Sequence, residues 1–327
     1  MLGLVGGCQQ SDSLTGYLGE LEQIQPSPPI LAPEGSLLRE PLQPLPARLS
    51  EVGLYLALPE REQVPDVALP YEPVWPLWSS GSDKQRFVVL PEGEVIDNRV
   101  VPWVLPVGTL LFKTFTYDDW PVETRLMRQI AIGEWEYEVY AWADDGLDAT
   151  LVDITLPVPV DAPIGTHTIP ARLDCRSCHE SSDSAVLGVS ELQLAPMLDA
   201  LDEQGALAIA PPAIPATIEH EDDTTRRILG WLHADCVHCH NGSDGPSSSY
   251  DLRADVALTN LVGAESDSSG SAGGIRVIPG DPEGSLLFRA ISGQGDDAEV
   301  KVMPPFGVDA RDEVSIALVR QWIEGLE

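Results

Sequence analysis

Two Cys-x-x-Cys-His motifs place the tightest restriction on how this chain folds. They occupy residues 175–179 (CRSCH) and 236–240 (CVHCH). Four of the five cysteines of the chain lie in them. Any fold must therefore bring each thiol pair to one place, together with the histidine that follows it.

The spacing of both motifs matches the attachment signature of c-type haem. Two thiols three positions apart can form thioethers with the two vinyl groups on one edge of a porphyrin. The next residue then lies over the iron, where an imidazole is the proximal ligand. The motifs predict two covalently attached haem c groups. The predicted thioether residues are Cys175, Cys178, Cys236 and Cys239, and the predicted iron ligands are His179 and His240.

Paired cysteines also occur in zinc ribbons and in thioredoxin-like redox pairs. A zinc ribbon separates its pairs by about 15–20 residues, whereas residues 179–235 lie between the pairs here. The histidine after both pairs favours haem over either alternative. Haem attachment of this kind requires an oxidising compartment outside the cytoplasm.

The sequence offers one candidate for the sixth iron ligand of the second haem and several for that of the first. Met303 lies in residues 302–305 (VMPP), in a loop before the last predicted helix. A methionine opposite His240 would raise the haem potential and close the site. For the first haem we expect Met197. The alternatives are an empty sixth position or one of the histidines His167, His220, His233 and His238.

Hydrophobic periodicity predicts three helices in the C-terminal half, over residues 186–201, 224–236 and 312–326. The order helix, CxxCH, loops, Met-Pro, helix resembles single-domain class I cytochrome c, in which the first and last helices cross next to the haem. That crossing would place Ile228 and Leu232 against Trp322.

The N-terminal half is predicted to be rich in β-strands. Residues 86–90, 109–116 and 134–142 favour strands, and the last run alternates apolar with acidic side chains. The predicted fold class is α+β. An antiparallel β-sandwich-like domain (61–165) precedes a mainly α-helical dihaem cytochrome c-like domain (166–327). Within the latter, the first haem segment covers 166–215 and a class I-like unit covers 216–327.

The first 60 residues are predicted to be an anchor and a spacer. Residues 5–8 (VGGC) resemble a bacterial lipobox, so residues 1–8 are interpreted as a truncated lipoprotein signal remnant with Cys8 as the lipidation site. Residues 9–60 form a Pro-rich spacer. We therefore expect a periplasmic or cell-surface protein, lipid-anchored to the outer membrane.

Charge restricts the partners. The chain has 52 acidic and 19 basic residues, a formal net charge of −33. Nucleic-acid binding needs clustered basic residues and is excluded. No apolar run is long enough for a transmembrane helix, so the membrane is reached only through a lipid anchor. The acidic surface predicts a redox protein partner with a basic docking face.

With these motifs in place, residues 70–327 resemble a family of bacterial dihaem c-type cytochromes that joins an N-terminal β-rich region to C-terminal cytochrome c-like segments. Two departures are Ser80, where Asp is expected, and Asp235, where Asn is usual. The resemblance is carried by Leu77-Trp78-Ser79, Lys84, Arg86, Lys113, Phe115, residues 123–126, residues 186–188, residues 277–282 and residues 303–305, besides the two CxxCH motifs.

This resemblance implies electron transfer outside the cytoplasm and supplies no substrate. The leading hypothesis is an electron-transfer cytochrome, a carrier rather than a catalyst. One alternative is a dihaem peroxidase-type enzyme with an open or labile site on the first haem. Another is a partner- or polymer-binding module whose haems sense redox state.

Overall fold

A six-stranded antiparallel meander, with its strands in chain order, forms the N-terminal half of the molecule. The computed structural model describes residues 44–243, 250–266, 273–294 and 300–327. The predicted antiparallel β region is confirmed. The strands are β1 (Ala68–Pro70), β2 (Asp83–Val89), β3 (Leu110–Tyr117), β4 (Trp120–Ala131), β5 (Glu134–Trp142) and β6 (Ala149–Val152).

The predicted β-sandwich is not formed. In place of a second large sheet there is a two-stranded hairpin of β7 (Val158–Ala162) and β8 (Gly165–Ile169). Val160 and Ala162 of this hairpin pack on Phe115 and Tyr117, at one end of the main sheet. The hairpin is too small to cover the sheet, so the rest of this face is left for the C-terminal half.

The opposite face of the sheet is covered by chain that precedes it. A short helix, α1 (Leu49–Val52), and the residues after it bury Leu54 and Tyr55 against the sheet. The Tyr55 hydroxyl forms a 2.7 Å hydrogen bond with the Thr114 hydroxyl on β3. The described end of the predicted spacer is therefore part of the core. The predicted lipidation site Cys8 lies outside the described residues.

Helices follow the hairpin. Two of them begin at aspartate caps: Asp222 accepts a hydrogen bond from the Thr225 backbone N–H at 2.6 Å, and Asp312 accepts one from the Ser315 N–H at 3.0 Å. No helix in the described ranges is long and apolar enough to cross a membrane. The helices are α2 (Arg172–His179), α3 (Leu198–Glu203), α4 (Asp223–Asp235), α5 (Ala257–Leu261), α6 (Leu286–Ser292) and α7 (Glu313–Glu324).

Helices α4 and α7 form the predicted crossing. Ile228 and Leu232 of α4 are fully buried in the same cluster as Val319 and Trp322 of α7. The Trp322 indole N–H donates to the Thr225 hydroxyl at 3.2 Å, so the buried ring keeps a polar partner. The first and last helices of the second unit thus pack as the sequence pattern predicts.

The helix predicted over residues 186–201 is wrong. This segment consists of turns, a single 3-10 turn at Ala195–Met197, and then the start of α3. Gly188 has a φ of +88°, outside the helical region. Pro196 lacks a backbone N–H and can occupy only the first turn of a helix. Of the leucines in this segment, Leu194 and Leu198 pack on the sheet, whereas Leu192 packs on the helical unit.

Residues 71–82, which join β1 to β2, pack across the helical unit, and we call this segment the strap. Its Trp75 ring lies directly on α4 at Gly230, where an added Cβ would be 2.5 Å from the ring atoms. Any larger residue at this position would push the indole away. A glycine in mid-helix is therefore explained by the approach of Trp75.

The Trp75–Gly230 contact predicts an inverted response to a helix-favouring substitution. Alanine in an exposed helix is better than glycine by about 1 kcal/mol. G230A in this chain should instead destabilise by about 1–3 kcal/mol, because the indole is displaced from a filled site. Urea unfolding measures the change. In a W75A background, where the ring is absent, the same substitution should stabilise. Stabilisation by G230A alone would contradict the packing.

Candidate functional site

Both CxxCH motifs open into one cavity between the sheet and the helical unit. Its volume is about 910 Å³, near the upper end of the roughly 300–1,000 Å³ of ordinary ligand pockets. The structure brings seven of the predicted site residues to its walls. They are Cys175, Cys178, His179, Cys236, Cys239, His240 and Met303.

The sheet holds the first motif in place. Helix α2 carries the whole motif and follows β8 directly. The Arg172 guanidinium donates to the Tyr137 carbonyl oxygen at 3.2 Å and to the Glu138 carboxylate at 2.6 Å, both on β5. These contacts fix α2 against the strand, with its thiols facing the cavity.

His179 is prepared to bind a metal ion. Its Nδ1 donates to the Ala185 carbonyl oxygen at 2.6 Å, which leaves Nε2 as the acceptor nitrogen. Burial lowers the pKa of His179 to about 3, so the ring is neutral at physiological pH. The Tyr137 ring, 5.5 Å away between ring centres, restricts its rotation.

The second motif begins where α4 ends. The His240 backbone N–H donates to the Cys236 carbonyl oxygen at 2.8 Å, which closes the motif into a single turn. The His240 ring packs on Tyr250 at 4.7 Å, and burial lowers the pKa of His240 below its usual value. This imidazole is therefore also neutral and able to act as a ligand.

The two motifs touch each other. The Cys178 and Cys239 sulfur atoms and the His238 ring form a cluster whose ligand atoms all lie within 4.8 Å of one another. The Asn241 side chain adds a hydrogen bond of 2.7 Å to the Ser181 carbonyl oxygen, just beyond the first motif. Groups attached to Cys178 and to Cys239 would therefore have their attachment sulfurs within 4.8 Å of each other.

Contacts from the strap and the hairpin hold the loop that carries Met303. The Ser80 hydroxyl accepts hydrogen bonds from the Asp309 and Ala310 backbone N–H groups at 2.7 and 3.2 Å. The Trp78 indole donates to the Ala310 carbonyl oxygen at 2.8 Å. Ser80 thus performs a polar role at a position where the resemblance led us to expect Asp.

Met197 lies away from the cavity walls. It packs in the cluster between the 186–207 segment and the sheet, and its sulfur accepts the Glu72 backbone N–H at 3.0 Å. Two histidine alternatives are also engaged elsewhere. His167 bonds through both ring nitrogens to Glu123 and Tyr117, and the exposed His220 bonds to the Asp222 backbone.

His238 differs from those alternatives because it lines the cavity. Its Nδ1 is buried and has no hydrogen-bond partner within the described part of the chain. The Tyr137 hydroxyl, also on the cavity wall, has the same property. Buried polar atoms are normally satisfied, so these two atoms point to a missing occupant of the cavity.

One wall of the cavity was missed by sequence reasoning, because it comes from the sheet. Lys113 of β3, Arg125 and Met127 of β4, and Tyr137 and Val139 of β5 all line it. Tyr137 belongs to the alternating run 134–142, whose pattern predicts a strand and not a cavity wall. The available signal was Lys113, a lysine directly after the apolar residues 110–112 in a predicted strand.

A buried carboxylate connects the sheet to the hairpin that leads into α2. Glu123 is fully buried and accepts hydrogen bonds from Arg125 Nε at 3.0 Å and from His167 Nε2 at 2.8 Å. Burial alone would raise the pKa of Glu123. The Arg125 charge and the His167 hydrogen bond outweigh burial and hold it at about 2. The carboxylate is therefore ionised in the folded chain.

These residues fit covalently attached haem. Each pair of thiols faces the cavity beside a neutral imidazole, the walls are mostly apolar, and two buried polar atoms there have no described partner. The Cys178, His238 and Cys239 cluster alone would also suit a zinc ion. That use would leave the other two thiols and both proximal histidines without a role.

Comparison with known proteins supports the second motif. Residues 236–307 match the sequence model of the family described as Planctomycete cytochrome C. The C-terminal region is cytochrome c-like. A cytochrome c-like region implies covalently bound haem c and haem-based electron transfer. The match begins at Cys236 and includes Met303. Searches of curated proteins and of solved structures found no match.

The Glu123 network predicts a loss of stability in acid. The carboxyl has a usual pKa of 4.5 and a folded-state pKa of about 2. Its stabilising effect is therefore complete above pH 4.5 and lost as the pH falls towards 2. E123Q should lower the free energy of unfolding at pH 7 by about 1–3 kcal/mol, because the partly buried Arg125 guanidinium loses its charged partner.

Urea unfolding of the matured protein from pH 7 to pH 2 measures both effects. E123Q should flatten the acid dependence, and E134Q, at the exposed start of β5, should leave it unchanged. Equal behaviour of the two variants would contradict the network.

The Ser80 contacts predict that the Met303 loop depends on one hydroxyl. S80A leaves two backbone N–H groups without their acceptor and should cost about 1 kcal/mol. If Met303 is an iron ligand, the charge-transfer band of methionine-ligated ferric haem should weaken in S80A. S82A is the matched control, since the Ser82 hydroxyl bonds within the same turn to the Ser79 carbonyl oxygen. An unchanged band in S80A would contradict a role for Ser80 in positioning the loop.

Proposed function

We propose that this protein is an extracytoplasmic dihaem c-type cytochrome that transfers electrons between redox partners. The single observation that carries the proposal is the convergence of both CxxCH motifs on one cavity, with Cys178 and Cys239 in direct proximity. Bound haem c supplies a one-electron iron couple. Each motif would hold one group, through Cys175 and Cys178 or through Cys236 and Cys239.

Contact between the motifs is what favours electron transfer over two independent haem sites. The sulfur atoms of Cys178 and Cys239 belong to the same cluster, within 4.8 Å. Each sulfur would be bonded directly to the edge of its own porphyrin. The protein therefore places only the Cys178–Cys239–His238 cluster between the two attachment edges, and an electron would cross a short gap.

Proximal ligation is assigned to His179 and His240, and the sixth ligand of the second haem to Met303. The neutral state of both imidazoles supports the first assignment. The position of Met303 on the same cavity as His240 supports the second. Near the first motif, His238 and Met127 are further donors on the wall. Met197 has its sulfur bonded to the Glu72 backbone.

Partner choice follows from charge. A net charge of −33 attracts a protein with a basic face and steers its approach. We propose a redox protein of that kind as the partner, in the periplasm or at the cell surface. Anchoring through a lipid on Cys8 is part of the same proposal and rests on the lipobox-like residues 5–8.

Haem counting tests the proposal. The full chain, matured in a periplasm that attaches haem c, should give two haems per chain by pyridine haemochrome assay. C175S/C178S and C236S/C239S should each lose one, and C8S should keep both. A chain that binds one zinc ion and no haem would overturn the proposal, and metal analysis of the same sample detects it.

Carbon monoxide separates a carrier from a peroxidase-type enzyme. If both irons are six-coordinate, the spectrum of the reduced protein should not change with CO. A change on half of the haem, lost in C175S/C178S, would place an open site at the first iron. That result would contradict the carrier function and favour peroxide chemistry.

A further inference from the structure

Positive charge is scarce in this chain, but four basic side chains gather on one face of the sheet beside the cavity. In the strand register Arg86 pairs with Lys113, and Lys113 pairs with Arg125. Lys84 lies two residues before Arg86 and so shares its face. The whole sequence has only 19 basic residues against 52 acidic ones. A cluster of this kind is therefore unexpected unless it has a ligand.

Lys113 differs from the other members of the cluster. Arg125 is paired with Glu123, and the Lys84 ammonium donates to the Leu77 carbonyl oxygen at 2.5 Å. Within the described ranges the Lys113 ammonium has no hydrogen-bond or ion-pair partner, and it lies 5.9 Å from the centre of the Phe115 ring. Lys113 and Arg125 both line the cavity.

An unpaired ammonium in this position is unfavourable. Burial, together with the charges of Arg86, Arg125 and Lys84, lowers the pKa of Lys113 well below its usual value. Buried charges are ordinarily paired, because the loss of hydration is not otherwise recovered. An anion in the cavity would restore the pairing.

The acidic side chains around the cavity already have other partners. Glu123 acts on the Lys113 charge from outside the cavity wall, but its carboxylate is already paired with Arg125 and His167. Each of the five acidic residues on the wall bonds to a group other than Lys113. The pairs are Glu138 with Arg172, Asp174 with the Ala171 N–H, Asp235 with the Trp78 N–H, Asp309 with the Thr168 N–H and Asp312 with the Ser315 N–H.

We propose that Lys113, with Arg125 beside it, is the receptor for a propionate carboxylate of the haem attached at Cys175 and Cys178. This inference rests on the proposed function, since it requires a haem at the first motif. The β-sheet then has a role in the redox site beyond support. It would supply the positive charge that binds the porphyrin carboxylate and that raises the reduction potential of the first haem.

Electrostatics gives the direction of the effect. A nearby ammonium disfavours the additional positive charge of ferric iron, and it also neutralises a carboxylate that would stabilise that charge. Both effects raise the reduction potential of the first haem. Loss of the Lys113 charge should therefore lower it.

The test uses K113Q in the matured full chain, with potentiometric titration followed by absorbance. The first haem is identified as the component missing from C175S/C178S. K113Q should keep two haems and lower the equilibrium constant for reduction of the first haem at least tenfold, which is about 59 mV for one electron. K113R should restore it. R99Q removes a positive charge from an exposed pair with Asp97 and should change neither haem.

Three results would overturn the inference. One is a first-haem potential in K113Q within twofold, in equilibrium constant, of the R99Q control. Another is loss of the low-spin ferric signal in K113Q by electron paramagnetic resonance, since Lys113 would then be an iron ligand. The third is a shift of the wild-type potential by sodium phosphate against sodium chloride of equal ionic strength, since the site would then bind free anions.

A failure of the proposed function is distinguishable from these three results, because the unsubstituted chain would then contain no haem at the first motif. If K113Q does not mature, K113M is the second variant, since it keeps the apolar stem and removes the charge.

Discussion

Close packing of the Trp75 indole on Gly230 joins the sheet unit to the helix that leads into the second CxxCH motif. The contact leaves no room for a side chain on the helix. Around it, the same strap supplies Trp78, which donates to Asp235 through its backbone N–H and to Ala310 through its indole. Without this packing the cavity would lose the fixed spacing between its sheet wall and its helical wall.

The cavity is therefore a joint product of two units, neither of which would enclose it alone. The first motif lies on a short helix whose cysteines and His179 are only partly buried. It is held to β5 by Arg172 and approached through a hairpin anchored at Glu123. The second motif lies in a compact helical unit whose core also takes in Trp75 of the strap and Leu192. Only their contact at Cys178 and Cys239 makes one site from two motifs.

Acidic and basic side chains occupy different parts of the molecule. The surface is strongly acidic, which suits steering of a basic partner. The basic residues near the cavity lie on the inner face of the sheet, where Glu123 compensates Arg125 and Lys113 lines the cavity.

The local sequence was sufficient to predict features that depend on residues close together in the chain. It predicted the helices over residues 224–236 and 312–326 and the packing of Ile228 and Leu232 with Trp322, because each depends on apolar positions that repeat along one helical face. It failed at residues 186–201, where leucine periodicity suggested a helix that Gly188 and Pro196 forbid. It also suggested a sandwich, because strand patterns do not reveal what covers the second face of a sheet.

Only the tertiary structure shows what covers that face. It also places Met197 against the Glu72 backbone and brings Lys113, Arg125 and Tyr137 to the cavity that His179 lines. These are contacts between residues far apart in the chain, and no local pattern encodes them.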